Sequence, residues 1–172
     1  KPKPKEMHVL TEAHETVTNK IMLYQDEEFF KWRYANTHNK YVFLYRIKNA
    51  VITGYTVIRV SPNNRRGYIV DYAQADDTSF EAIMKFIIRR RCFDVLSIYH
   101  FSLPDNMKQK LEDLGFKKAG LFRTIEKHIK GELPLLIRPI KQNFTETDFF
   151  IEELDLRKIQ NWDIKEICSD DS

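Results

Sequence analysis

Apolar residues recur along this chain with two different periods, and each change of period marks an element. From Ser79 to about Arg90, the residues Phe80, Ile83, Met84, Ile87 and Ile88 fall three or four apart, which predicts an amphipathic helix. Arg89, Arg90 and Arg91 stand at its C-terminal end, where positive charge complements the helix dipole. Before it come three runs rich in aromatic and β-branched residues: Lys40 to Ile47, Ile52 to Val60 and Gly67 to Tyr72. Lys48-Asn49-Ala50 and Pro62-Asn63-Asn64 separate them as turn signals, so the three runs predict an antiparallel meander. Phe93 to Phe101 reads as another strand, and a helix between two strands implies a parallel crossover.

The flanking segments are less regular. Met7-His8-Val9-Leu10 reads as a short strand, and Ala13 to Tyr24 as a weak helix, because Val17, Thr18 and Asn19 are poor helix formers. Asp26 caps a firmer helix through Tyr34, with Glu27 and Glu28 in its first turn. Pro104 and Asp105 open a helix that turns Met107, Leu111 and Leu114 inward and stops at Gly115. Two more strands are expected at about Ala119 to Ile125 and Leu133 to Pro139. The predicted class is α/β (α+β): a mixed, mostly antiparallel sheet flanked by helices. Residues 1–140 form one domain, and 141–172 a charged extension packed on it or trailing from it.

Composition narrows the classes. With 172 residues, 42% hydrophobic and 31% charged, the chain is long enough and apolar enough for one globular core. Basic and acidic residues nearly cancel, and no Lys/Arg stripe interleaved with aromatics is present, which argues against nucleic acid as a partner. Cys92 and Cys168 are too few for a disulfide framework and read as reduced and structural, Cys92 in a segment expected to be buried. No apolar run reaches the ~18 residues of a membrane span and no signal peptide is visible, so the expected place is the cytoplasm, away from membranes. The chain opens on Lys1 without a Met, as a segment of a longer protein would. His8, His14, His38 and His128 lack metal-ligand spacing with Cys or acids.

The order of elements, from strand and two helices through the meander, helix, parallel strand, helix and two last strands, resembles the GNAT N-acetyltransferase fold over roughly Met7 to Pro139. A divergent GNAT group carries F-x-x-W-R-Y on a helix, here Phe29, Trp32, Arg33 and Tyr34. Its I-x-G-Y strand is similar to Ile52-Thr53-Gly54-Tyr55, its I-V-D strand end to Ile69-Val70-Asp71, and its Gly-Phe pair to Gly115-Phe116. The resemblance implies acyl transfer from acetyl-CoA to a small-molecule amine or amino sugar by direct attack. It implies a splay between the strand ending at Tyr72 and the one starting at Phe93. The pantetheine arm would bond to free backbone groups of the first, over Val70, Asp71 and Tyr72. The pyrophosphate would rest on the helix N-terminus around Asp77, Thr78 and Ser79.

Such an attack needs a base, because the acceptor amine must lose a proton. Asp71 and His100, near the ends of the two strands, are the candidates. Tyr99 is a candidate acid. A structural carboxylate, a solvated histidine and a packed tyrosine are the competing readings. Trp32, Arg33 and Tyr34 suit the acceptor side, or else form an aromatic helix face packed on the sheet. Three positions depart from the family pattern. The phosphate turn reads Ala73-Gln74-Ala75-Asp76-Asp77-Thr78 without glycine, Leu111 stands where many members carry an acidic Tyr, and Pro104 replaces a frequent Asn. They keep open a second reading, a GNAT-fold binding or interaction domain without catalysis.

Overall fold

Pro4 opens the first helix, α1 (Pro4–Glu15), at a position where its missing N–H costs no hydrogen bond. The strand expected at Met7-His8-Val9-Leu10 is therefore helical. Four residues are too few to separate a period of 2 from one of 3.6, and the helix buries Met7, Leu10 and Thr11 on one face. The protein is seen here in a computed structural model that describes residues 1–15 (14 and 15 for the backbone alone), 20–35, 38–63, 65–99, 103–117, 145–158, 161–163 and 165. Of the helix expected over Ala13 to Tyr24, 13–15 are helical and Ile21–Met22 is a short strand, β1, while 16–19 lie outside the described residues. Helix α2 (Glu27–Ala35) begins where expected, with the Phe29 N–H donating to Asp26 Oδ1 at 2.6 Å.

The meander forms from β2 (Lys40–Lys48), β3 (Val51–Val60) and β4 (Arg66–Gln74). β2 and β3 are joined through Asn49 and Ala50, both with positive φ (48° and 64°), as a two-residue hairpin requires. Helix α3 (Ser79–Arg90) then crosses to β5 (Val95–Ile98), which pairs parallel with β4, so the main sheet has the order β2-β3-β4-β5. β5 is shorter than the predicted Phe93 to Phe101. Helix α4 (Asp105–Asp113) follows, and Gly115 takes φ +89° just after it. The strands predicted over 119–125 and 133–139 lie outside the described residues.

Helices cover both sides of the sheet. Ile58 and Ile69 meet Phe80, Ile83, Met84 and Ile87 of α3 and Met107 and Leu111 of α4. On the other side Tyr55, Val57, Val70 and Ala73 meet Met7, Leu10 and Phe30. Gly54 is needed where α3 starts: a Cβ there would lie 2.7 Å from the Ser79 Cβ. Cys92 is exposed, against expectation, because the chain has already turned out of α3 through the left-handed Arg91. In the extension, a 3-10 turn (Glu146–Phe149) leads to a small hairpin of β6 (Phe150–Ile151) and β7 (Leu154–Asp155). The last strand among the described residues, β8 (Trp162–Asp163), returns to pair parallel with β1. The protein is thus a mixed α+β fold with a mostly antiparallel main sheet and, among the described residues, four α-helices.

Candidate functional site

β4 and β5 pair from Arg66↔Val95 to Ile69↔Ile98, and there the ladder ends, while β4 runs on to Gln74. A bulge sits at the same point: Ile58 faces Ile69 and Val57 faces Asp71, which leaves Val70 as the extra residue. A bulge bends its strand and increases the local twist, which accounts for the parting of β4 from β5. The Ala75 N–H donates to the Thr53 carbonyl at 2.9 Å, and this bond sets the alternation along the pair. Tyr72, opposite Thr56, falls on a non-bonded pair, so its N–H and C=O turn away from β3 toward the side that β5 has left.

Both groups are satisfied by side chains. The Tyr72 N–H donates to Asp71 Oδ1 at 2.9 Å, and the Tyr72 carbonyl accepts from Lys165 Nζ at 2.8 Å. Asp71 is wholly buried; its Oδ2 accepts from the Tyr55 hydroxyl at 2.8 Å and its Oδ1 lies 3.3 Å from Lys165 Nζ. The Lys165 ammonium also stands 5.0 Å from the centre of the Tyr72 ring. Carboxylate and ammonium are thus buried as a pair, the condition under which either charge is tolerated away from water. Burial, and next the negative charge of Asp71, push the Tyr34 and Tyr55 hydroxyls well above their ordinary pKa. Burial and the charges of Asp163 and Asp71 do the same for Tyr72, so all three are neutral phenols at neutral pH. The Tyr34 hydroxyl is buried with no hydrogen-bond partner among the described residues.

At the start of α3 lies a cleft of about 380 Å³, lined by Gln74, Asp76, Asp77, Phe80, Pro104 and Lys110 among others. Two of the amides that could hold an anion there are already used. Asp76 Oδ1 accepts from the Thr78 N–H at 2.9 Å, and Gln74 Oε1 from the Phe80 N–H at 2.9 Å. Lys48 Nζ donates to Asp76 Oδ2 at 2.9 Å and, with the Thr78 and Ser79 bonds, holds that carboxyl well below the usual carboxylate range. Lys110 Nζ, the nearest cation from α4, donates to the Asp77 carbonyl at 2.6 Å.

Of the predicted site residues, Val70, Asp71, Tyr72 and Tyr34 come together around the end of β4. Thr78 is exposed. Ser79 is buried, its hydroxyl shared with Thr53 at 2.8 Å and Asp76 at 3.0 Å, so it serves the start of the helix. Trp32, two residues before Tyr34 and so on the far side of α2, is 70% exposed beside Phe29, and Arg33 is half-buried. Tyr99 is half-buried just beyond β5, and His100 lies outside the described residues. Leu111 is part of the apolar core under α3 and carries no proton. The residue that the sequence reading missed is Lys165. A lysine in a charged extension carries no signal that it will be buried 94 positions away from its partner. Among the described residues no group of His, Cys, Asp and Glu could hold a metal ion, and no helix is long and apolar enough to cross a membrane.

No family model matches the sequence, and no curated protein matches it. Among solved structures the chain is similar to a point-mutant form of the BH1408 protein of Bacillus halodurans. The identity is 22%, over 76% of this chain and 92% of that one, with a TM-score of 0.45.

Proposed function

We propose that this chain is a GNAT-type domain acting as an acyl-CoA-dependent N-acyltransferase on a small amine or amino sugar. One observation carries the reading: β4 parts from β5 at a bulge, turns the Tyr72 N–H and C=O into the opening, and places the Asp71 carboxylate beside them. Backbone groups turned away from a neighbouring strand suit the amides of a pantetheine arm. Acetyl-CoA, the proposed donor, would supply the thioester. Asp71 would take the proton that an ammonium must lose before it attacks, and Tyr99 is the proposed source of the proton returned to the leaving thiolate. The fit is poorer at the pyrophosphate end, where Asp76 and Asp77 line the cleft and the Thr78 and Phe80 amides are engaged.

A second reading, a non-catalytic binding or interaction module in the cytoplasm, is favoured by Lys165, which already holds Asp71 and the Tyr72 carbonyl. Calorimetric titration with acetyl-CoA, followed by turnover across a panel of amines, separates the two. The enzyme reading expects binding, and a turnover that falls ~100-fold or more in Asp71→Asn with acetyl-CoA bound no more weakly than by the parent. Absence of binding and of turnover would leave the interaction module.

A further inference from the structure

We infer that Asn161–Asp163 and Lys165 belong to a displaceable strap that closes the β4–β5 opening, with Lys165 as an internal competitor for the strand edge that acyl-CoA would use. The inference rests on the acyl-CoA reading above. Its geometric basis is the Tyr72 carbonyl. That oxygen faces the opening, no β5 residue reaches it, and the group that does reach it is the Lys165 ammonium at 2.8 Å. The same ammonium lies 3.3 Å from Asp71 Oδ1, so one side chain engages both the backbone edge and the proposed base. While it is seated, neither the carbonyl nor the carboxylate is accessible, since Asp71 is 0% and Lys165 5% exposed.

The strand pairing that seats the strap is short. β8 meets β1 over two residue pairs only, Ile21↔Trp162 and Met22↔Asp163, and so short a ladder adds little stability of its own. The Trp162 indole N–H donates to the Leu156 carbonyl at 2.9 Å, within the extension itself. The Lys165–Asp71 pair gains attraction but loses the hydration of both ions, so its net hold is much smaller than its geometry implies. Such a closure gives way to a ligand that binds the open form better, and by no more than that difference in affinity.

Trp162 provides the readout, because the chain has only two tryptophans. In a Trp32→Phe background its emission reports the strap alone. Titration with acetyl-CoA is expected to move that emission to the red as the strap leaves. Lys165→Met, which keeps the length of the side chain without its charge, is expected to start red-shifted and to bind acetyl-CoA at least ten-fold tighter by calorimetry. If Lys165→Met fails to fold, Asp71→Asn/Lys165→Met, neutral on both sides, replaces it with the same expectation. Equal affinity with and without Lys165, or binding with no change in Trp162 emission, overturns the strap and leaves the acyl-CoA reading standing. No binding to either protein overturns both.

Discussion

Under α3 and α4 the sheet is covered chiefly by apolar side chains, Ile58, Ile69, Phe80, Ile83, Met84 and Leu111, with Tyr72 beside them. Under α1 and α2 it meets Met7, Leu10 and Phe30, but also Tyr55, Tyr34 and, at the end of β4, Asp71. The first face is held by area and volume, in which many side chains share the load and a change of shape is absorbed locally. The second is held by directional bonds as well, and each of those has a single partner. Asp71 alone answers to Tyr55, to the Tyr72 N–H and to Lys165. The difference shows where a proton-accepting site can be kept in this fold. A carboxylate survives burial on the face that gathers several donors around one point, which the other face, with Tyr72 as its buried phenol, does not do.

Removal of the centre of the polar face tests this contrast most severely. Asp71→Ala leaves a buried ammonium without its carboxylate and the buried Tyr55 hydroxyl without its acceptor, and the expected loss is about 3–5 kcal/mol in urea denaturation. A loss under ~1 kcal/mol would mean that the strap opens and water takes over both groups. On the apolar face Met84→Ala should cost about 2–5 kcal/mol, whereas Met84→Leu, nearly equal in volume, should cost less than ~1.5 kcal/mol. An equal cost for the two would show that this face also depends on one arrangement. Tyr55→Phe removes a single bond to a charged group, and a loss of about 1.5–3 kcal/mol is expected with the circular dichroism unchanged.

Two smaller effects sharpen the comparison at its margins. Asp76→Ala removes the acceptor that holds the start of α3, for about 1 kcal/mol at pH 7. The folded-state pKa of Asp76 is depressed, chiefly by Lys48, so its stabilisation is present above the ordinary value near ~4 and fades as pH falls through the folded pKa. The gap between parent and variant should therefore begin to close below about pH 4 and go on closing toward the folded pKa; a gap that widened there would contradict the Lys48–Asp76 pairing. Ala50→Gly relieves a φ of 64° in the β2–β3 turn and should raise stability by roughly 0.5–1 kcal/mol, read as a small rise in Tm.

The elements that could be read in advance were those whose own residues carry the pattern. α3 was legible from Phe80, Ile83, Met84 and Ile87, and the meander from its turn residues, because both signals are local and repeat. At Met7 to Leu10 the signal is too short, and the residue that announces the helix start is Pro4, three positions earlier. β5 came out shorter than its apolar run, since its length is set by where the bulge at Val70 carries β4 away. Around the candidate site, Val70, Asp71, Tyr72 and Tyr34 could be named from motif resemblance, and Ser79 could be named but not its bonds to Thr53 and Asp76.

Residue order by itself determined the helices with an apolar stripe, the antiparallel meander and the parallel crossover, because period, turn chemistry and handedness act over a few residues. Only the tertiary structure decided that Lys165 meets Asp71 and the Tyr72 carbonyl, and that the α3 amides are met by Asp76 and Gln74. A buried charge has no local signature: whether it is solvated or paired depends on which distant backbone turns its unpaired groups toward it, and that is settled only when the sheet has formed.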